Sequence, residues 1–196
     1  MKKKTIIDIS LILVTLILVS ILVSFFYDSY IVKSIASVRN SLFDDILLGI
    51  TFVSSEIIIF FFLTSLFLWQ ERKRKWILPL WLTLFITIVV SFLLKIAVKR
   101  SRPFQQGIVE TLPILQSANF LTWNFSFPSF QAMMVFSAVP ILNKEFPRFK
   151  YVWIAFACLV ALSRVYFGLH YMSDVLLGGV IGYAIGWMVV KVFDRK

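Results

Sequence analysis

Cysteine is nearly absent from this sequence, and charged residues are scarce. Cys158 is the only cysteine, which excludes a disulfide or a cluster of thiolate metal ligands within one chain. It lies inside an apolar run, which favours a small packing residue. Only 15% of the 196 residues are charged, whereas 60% are hydrophobic. That balance is too apolar for a soluble domain of this size, and it predicts a protein that crosses a membrane several times.

Six apolar runs have the length of a membrane helix or approach it. A spanning helix needs roughly 20 largely apolar residues. Three runs meet that length: Ile6 to Tyr27, Ile46 to Trp69 and Trp76 to Val98. Three are shorter or interrupted: Ser129 to Leu142, Tyr151 to Leu162 and Val175 to Val192. The sequence therefore predicts an all-α, six-helix membrane bundle that forms a single domain over residues 1–196. It also predicts that the last three helices are short, with polar outer ends below the membrane surface.

The distribution of basic residues predicts the orientation in the membrane. The formal net charge is +10, but lysine and arginine stand between hydrophobic runs rather than on one soluble face, so nucleic acid is not an expected partner. With a cytoplasmic N-terminus, thirteen of the 20 basic residues fall in inner segments, as the positive-inside rule requires. The first run ends in SFFYDSY without a small-residue cleavage site, which favours a retained helix over a signal peptide. We therefore expect both termini in the cytoplasm.

The longest connection, Arg100 to Phe127, is external in this topology. Beyond Arg102 its only charged residue is Glu110, and apolar residues follow at intervals up to Phe120, Leu121 and Trp123. Segments of this kind are stable at the membrane interface. We expect the connection to anchor there, and a lid or lipid gate is the alternative.

Four segments meet at the outer face and bring polar side chains to membrane depth. They contribute Lys95 and Arg102, Ser129, Arg164, and finally His170 and Asp174. Charged residues at such depth are costly and usually functional. Arginine holds phosphate oxygens in pairs, lysine adds a compact charge, and a helix N-terminus opened by Pro128 offers free backbone N–H groups. The set predicts an anion pocket suited to a phosphate.

His170, the only histidine, stands four residues before Asp174. If this segment is helical, the two side chains share a face, and the carboxylate can hold one ring nitrogen while the other attacks. A histidine that only caps a helix end or reaches toward the interface is the structural alternative. Among so many cations we favour the nucleophile.

Two stretches resemble the motifs of the type 2 phosphatidic acid phosphatase and haloperoxidase superfamily. KIAVKRSRP, from Lys95 to Pro103, matches KxxxxxxRP. SRVYFGLHYMSD, from Ser163 to Asp174, matches SRxxxxxHxxxD. The resemblance covers about residues 95–174. It implies an integral membrane enzyme that removes phosphate from lipids at the extracytoplasmic face of the cell membrane. The oligomeric state is left open.

The resemblance also implies roles for particular residues. His170 would form a phosphohistidine with Asp174 as its partner, without metal or cofactor. Lys95, Arg102 and Arg164 would form the phosphate clamp. Apart from the resemblance, the hydroxyl of Ser129 and the backbone N–H of Phe130 are expected to bind the same phosphate.

The middle motif departs from the family pattern. PSFQ, from Pro128 to Gln131, stands where the family has PSGH, so Phe130 replaces a glycine and Gln131 replaces the histidine taken to protonate the leaving oxygen. Glutamine cannot supply that proton, and losing acid catalysis typically costs about 10²- to 10⁴-fold. A monoester expels an alkoxide that needs a proton, whereas a diphosphate expels a phosphate that leaves as an anion. The sequence therefore predicts a preference for diphosphate lipids such as polyprenyl diphosphates.

Other readings remain open. A relative that binds phosphorylated lipid without hydrolysing it needs the cations but no nucleophile, and a lipid phosphotransferase would pass the phosphoryl group to another alcohol. A structural or transport protein would leave the polar cluster unexplained. Glu56 lies deep in the second predicted helix, so we expect it to pair with Lys95 or another buried cation. Lys99 and Arg100 are expected on a basic rim that is either solvated or attracts headgroups.

Overall fold

The computed structural model describes residues 3–116 and 125–195. Within these ranges all regular elements are helices, which confirms the all-α prediction. The α-helices are α1 (Lys3–Ala36), α2 (Ser41–Val53), α3 (Glu56–Trp69), α4 (Ile77–Val98), α5 (Pro113–Gln116), α6 (Phe130–Glu145), α7 (Lys150–Tyr166) and α8 (Met172–Phe193). Short 3-10 turns cover Glu71–Trp76, Phe104–Gln106 and Pro147–Phe149. The predicted interfacial residues Phe120, Leu121 and Trp123 lie outside the described residues.

The helices give four or five membrane spans. Four stretches are long and apolar enough to cross a membrane: Leu18–Ala36, Glu71–Val98, Pro147–Tyr166 and Met172–Phe193. The pair α2 and α3 counts as a fifth if it forms one bent span. The protein is therefore a multi-pass membrane protein. The remaining predicted span, Ser129 to Leu142, corresponds to α6, whose 16 residues rise about 24 Å, less than the roughly 30 Å hydrocarbon core. The count of six stays a prediction.

Several predicted boundaries were wrong. Helix α1 continues past Tyr27 to Ala36, because Asp28 is buried inside the protein and does not end the helix. Helix α8 has 22 residues, so the last three helices are not uniformly short. α6 with 16 residues and α7 with 17 are both shorter than α8.

The second predicted helix is two helices. α2 and α3 meet at an angle of 64°. Ser54 lies at the break and donates its hydroxyl to the carbonyl of Thr51 at 3.1 Å, a local bond that competes with helical pairing. Glu56 therefore lies in the first turn of α3, where a carboxylate is favoured by the helix dipole. It is exposed and forms no salt bridge within the described ranges, with Lys95 or any other cation, but its charge acts on the buried guanidinium of Arg164. Lys95 instead donates to the carbonyl of Phe125.

The apolar core surrounds α6. Met134, Val139 and Ile141 of this helix are buried against Phe67 of α3 and Leu80 of α4. Because α6 is enclosed by its neighbours, its first turn is held at a defined place beside the start of α8. The amide of Ser129 donates to the carbonyl of Asp174 at 3.2 Å, a hydrogen bond that joins the N-terminal ends of α6 and α8.

Three glycines on α8 let it approach the backbone of α6. We call Gly178, Gly182 and Gly186 the glycine stripe. A Cβ at Gly182 would lie 2.1 Å from the carbonyl oxygen of Met133, and one at Gly186 would lie 2.0 Å from that of Ser137. The spacing of four residues is the small-residue pattern that brings membrane helices into close contact. The stripe thus places α8 directly on α6.

Candidate active site

His170 lies in the short connection between α7 and α8. Gly168 in this connection has a φ of +66°, a left-handed conformation that glycine adopts without strain. The turn brings the amides of Leu169 and His170 back to the carbonyl of Arg164, at 3.0 and 3.2 Å. The backbone therefore keeps His170 beside the end of α7, and its side chain is buried.

The hydrogen bonds of the ring define its protonation. Nδ1 of His170 lies 2.6 Å from the carbonyl oxygen of Ser126. A carbonyl oxygen only accepts, so Nδ1 carries the proton and donates it. Nε2 then keeps its lone pair, and it faces Nη1 of Arg102 at 3.3 Å. The ring thus directs its unprotonated nitrogen at a cation.

Asp174 lies near the ring without holding it directly. Its Oδ2 is 3.9 Å from Nδ1 of His170, and it accepts instead from the hydroxyl of Ser126 at 2.5 Å and the amide of Tyr171 at 2.9 Å. The direct hydrogen bond expected from the four-residue spacing is not formed, because α8 begins at Met172 and His170 precedes it. Ser126 stands between the two residues and touches both.

Three cations surround the ring. Arg102 is buried and donates to the carbonyl of Leu169 at 3.0 Å. Burial lowers the pKa of Arg102 to about 10, so the guanidinium stays charged at neutral pH. Burial, followed by the charges of Arg102, Lys95 and Arg164, holds the pKa of His170 well below its usual 6.5. The imidazole is neutral at pH 7, the form that can attack.

The start of α6 adds donors without partners. The first amide to bond back along the helix is that of Met133, to the carbonyl of Ser129 at 2.9 Å, so the amides of the preceding turn lack helical acceptors. Ser129 Oγ, Gln131 Oε1 and Arg164 Nε are buried and make no hydrogen bond within the described part of the chain. Buried polar atoms are normally satisfied. Hydroxyl and guanidinium donors in this state suit an anion, and the Gln131 amide can present its NH₂ after rotation.

Phe130 differs from its neighbours in this turn. Its ring packs against the apolar core around α6 rather than on the polar cluster. Its backbone N–H is the group that remains for an anion.

Across residues 3–116 and 125–195, no three His, Cys, Asp or Glu side chains lie close enough together to hold a metal ion.

Arg100, which was expected on a basic rim, supports the site from inside, so that expectation was wrong. Its Nη1 donates to Asp174 Oδ1 at 2.7 Å, and its Nη2 donates to Asp28 Oδ2 at 2.7 Å. The guanidinium lies 3.9 Å from the ring centroid of Tyr171. Burial lowers the pKa of Arg100, but Asp174 and Asp28 outweigh it and raise the pKa above its ordinary value. Arg100 is therefore a charged member of the cluster.

Sequence reasoning missed three residues, Asp28, Ser126 and the supporting role of Arg100. Asp28 is separated from Arg100 by 72 residues, so no local pattern joins them. Ser126 lies two positions before PSFQ and stands between Phe125 and Phe127, a context that carries no recognisable signal. A charged residue at membrane depth in α1 was the one sign available for Asp28.

Comparison with known proteins establishes the family. A sequence model of the PAP2 superfamily matches residues 76–196, more than half of the chain. The chain therefore belongs to the PAP2 superfamily, as its two outer motifs predicted.

The chain is similar to several membrane phosphatases. It is 30% identical over 130 residues to an undecaprenyl-diphosphatase from Sulfolobus acidocaldarius, covering 66% of this chain and 61% of that one. It is 33% identical over 119 residues to a lipid A 1-phosphatase from Rhizobium johnstonii, covering 57% and 47%. The matches thus span between 47% and 61% of the length of these relatives.

A solved structure shares the fold. The crystal structure described as the first transmembrane PAP2 type phosphatidylglycerolphosphate phosphatase, from Bacillus subtilis, matches with a TM-score of 0.71. The match covers 92% of this chain and 95% of that chain at 21% identity. The likeness extends beyond the sequence motifs to nearly the whole helical arrangement.

Proposed function

We propose that this protein is a membrane lipid phosphatase that acts at the extracytoplasmic face through a phosphohistidine on His170. The observation that carries the proposal is the neutral, buried imidazole whose Nε2 lies 3.3 Å from Arg102. Lys95 and Arg164 add charge around it. The names of the relatives support the reaction class, since they are an undecaprenyl-diphosphatase and a lipid A 1-phosphatase.

The reaction takes two steps. The three cations and the first turn of α6 bind the phosphate, and Nε2 of His170 attacks phosphorus opposite the leaving oxygen. The bond to that oxygen breaks and its electron pair leaves with it, while Nδ1–H donates to Ser126 and stabilises the positive ring. Water then attacks phosphorus and the P–N bond breaks. Inorganic phosphate departs with the protons of the water, and the ring is neutral again.

Gln131 favours a diphosphate lipid as substrate. It lies in the first turn of α6, and its amide has no proton of useful acidity. A diphosphate expels a phosphate that needs no proton, so the missing acid costs little. A monoester would lose most of the contribution that acid catalysis usually makes, about 10²- to 10⁴-fold.

An apolar groove between α7 and α8 gives the lipid tail a place beside these groups. Its cavity is about 710 Å³. One end of the groove is lined by Val165 and Val175, which directly follow the site residues Arg164 and Asp174 in the chain. From there the groove continues along α8 to Tyr183. A lipid whose phosphate lies at His170 would place its chain here without exposing it to water.

The test is phosphate release by purified protein from a polyprenyl diphosphate, phosphatidic acid and phosphatidylglycerophosphate. We expect release from the diphosphate above all, and loss of release in His170→Ala. Gln70→Ala, an exposed change in the connection after α3, is the matched control and should keep full activity. Equal or higher turnover of the monoesters would contradict the diphosphate preference.

A second candidate, a protein that binds phosphorylated lipid without hydrolysis, is favoured by Gln131 alone. It predicts that the wild type releases no phosphate from any of the lipids and that only Gln131→His shows turnover. Retention of phosphate release by His170→Ala would exclude the phosphohistidine.

A further inference from the structure

Asp28 of α1 and Arg100 form a buried bridge to Asp174. Nη2 of Arg100 lies 2.7 Å from Asp28 Oδ2, and Nη1 lies 2.7 Å from Asp174 Oδ1. Asp28 is 3% exposed and Asp174 is fully buried. Asp28 lies outside the region that the PAP2 sequence model matches, which begins at residue 76. The bridge therefore joins the family's motif region to a helix that precedes it.

Every carboxylate oxygen of the bridge accepts a hydrogen bond. Oδ1 of Asp28 accepts from the amide of Ser173 at 3.0 Å, and Oδ2 also accepts from the Ser173 hydroxyl. Arg100 Nη1 donates to that hydroxyl at 2.7 Å. Buried charges destabilise a protein unless they are paired and hydrogen-bonded, so removing one charge of the bridge leaves the remaining charges incompletely paired. Loss of the Asp28 carboxylate would therefore change the position of Arg100 and its hydrogen bond to Asp174.

The contacts continue from Asp174 to the ring of His170. With Oδ1 held by Arg100, Oδ2 of Asp174 accepts from the hydroxyl of Ser126 at 2.5 Å. The Ser126 amide donates to the carbonyl of Arg100 at 2.7 Å, and its own carbonyl accepts from Nδ1 of His170 at 2.6 Å. Ser126 is thus fixed at three points, and two of them depend on Arg100 or on its partner Asp174. The acceptor that selects the protonated nitrogen of His170 is held by this bridge.

We propose that Asp28 and Arg100 are positioning residues that fix Ser126 and Asp174, so that His170 keeps its proton on Nδ1 and its Nε2 free. The proposal rests on the proposed function for its effect on rate. Asp28 is hydrogen-bonded to Arg100 and to Ser173, which precedes Asp174, and its influence on the ring passes through these contacts. Helix α1 thereby becomes part of the catalytic arrangement.

The first experiment reads the ring directly and needs no turnover. Because His170 is the only histidine, protein labelled with ¹⁵N-histidine gives one pair of ring signals. At pH 7 we expect wild type to show a protonated Nδ1 and an unprotonated Nε2, and Asp28→Asn to show a mixture of both tautomers. Asp194→Asn is the matched control, since it also removes a carboxylate from an ion pair, with Lys144. It should give the wild-type spectrum.

The second experiment separates positioning from general stability. Asp28→Asn should lower kcat about 10- to 100-fold, by analogy with the hydrogen-bond partners that orient metal ligands, and leave KM within about twofold. In an Asp174→Asn background the same change should lower kcat by less than about twofold, because its route to the ring is already broken. Arg100→Lys, which keeps the charge but not the two-pronged geometry, should resemble Asp28→Asn.

The two experiments distinguish the two proposals. A wild type without phosphate release from any lipid would overturn the proposed function, while the ¹⁵N spectra would still decide the role of Asp28. Identical ring spectra in wild type and Asp28→Asn would overturn the positioning role, whatever the rates. Fully additive losses in the double variant would also overturn it, because they would mean that Asp28 acts independently of Asp174.

Discussion

The location of one proton decides what the ring of His170 can do. The carbonyl of Ser126 takes the Nδ1 proton, and Nε2 is left beside Arg102. Burial and the nearby cations make a second proton unfavourable, which keeps the ring neutral. A histidine on an open surface would lose much of its neutral form below pH 6.5.

This arrangement predicts an activity that resists acid. In the proposed mechanism only the neutral ring attacks, so kcat/KM should fall where the ring gains its second proton. Because the pKa of His170 is held well below 6.5, the acid limb of the pH profile should lie well below pH 6.5. Arg102→Gln removes a charge that lowers this pKa, so its acid limb should move toward higher pH, even though its rate is reduced. The measurement is kcat/KM against pH for both proteins. An acid limb at or above pH 6.5 in wild type would contradict the expectation.

Replacing Gln131 by histidine should change selectivity. Gln131→His adds a group that can protonate a leaving alkoxide, so monoester turnover should rise by up to about 10²- to 10⁴-fold. Diphosphate turnover should change much less, since its leaving phosphate needs no proton. Gln131→Asn, which adds no acid, is the control. The comparison of the two substrates under one set of conditions checks it, and an equal rise on both would count against the argument.

At this scale the sequence predicted which charged residues form the cluster, but not the hydrogen bonds that join them. Lys95, Arg102, Arg164 and His170 were identified by spacing, and the structure brings their charges together around the ring. The contacts of Asp28 and Ser126 could not be predicted, because their partners are far away in the chain. The Asp174 contact was predicted from helical spacing and failed because the helix begins two residues after His170.

At the scale of helices, the glycine stripe holds α8 on α6. A Cβ at Gly182 would meet a backbone carbonyl at 2.1 Å, and backbone cannot move aside as a flexible side chain can. Overpacking of this kind typically costs about 1–3 kcal/mol. The close approach also keeps the first turn of α6 beside the start of α8.

Gly182→Ala should therefore lower thermal stability in detergent, and Gly182→Leu should lower it further. Gly49 is the matched control, because it lies within α2 and a Cβ there would meet nothing within 4 Å. Gly49→Ala should leave stability unchanged or raise it by up to about 1 kcal/mol. The measurement is the unfolding midpoint of each purified variant. Equal midpoints for Gly182→Ala and wild type would refute the packing argument.

Helix existence was predicted well and helix boundaries less well. Apolar length alone located α4, α7 and α8, because lipid demands long apolar runs. It did not reveal the break at Ser54, because the run from Ile46 to Trp69 is apolar enough overall to be taken as one span, although Ser54, Ser55 and Glu56 interrupt it. It also could not show that α1 continues through Asp28, because only the fold supplies the arginine that permits a buried carboxylate there.

At the scale of the whole molecule, the two ends of α4 bear on the predicted orientation in the membrane. The basic connection at Glu71–Trp76 and the site-side connection around Glu110 lie at opposite ends of α4. With cytoplasmic termini, the first faces the cytoplasm and the second faces outward.

Cysteine labelling of intact cells checks this orientation. In a Cys158→Ser background, Glu110→Cys should react with a membrane-impermeant maleimide, and Lys75→Cys should react only after permeabilisation. Both native side chains are exposed, which makes the two positions a matched pair. The reverse pattern would place the site on the cytoplasmic side and contradict the predicted topology.

The glycine stripe has a further consequence for registration of the two helices along the membrane normal. Gly178, Gly182 and Gly186 each oppose a carbonyl oxygen of α6. A slip of α8 by one residue, about 1.5 Å, would bring side chains onto these carbonyls at several levels at once. Sliding is therefore blocked at separate heights within the membrane. These contacts set the height of His170 relative to the first turn of α6, and Gly182 and Gly186 do so from positions deeper along α8 than the site. A substitution in the stripe would therefore shift His170 along the membrane normal relative to the phosphate.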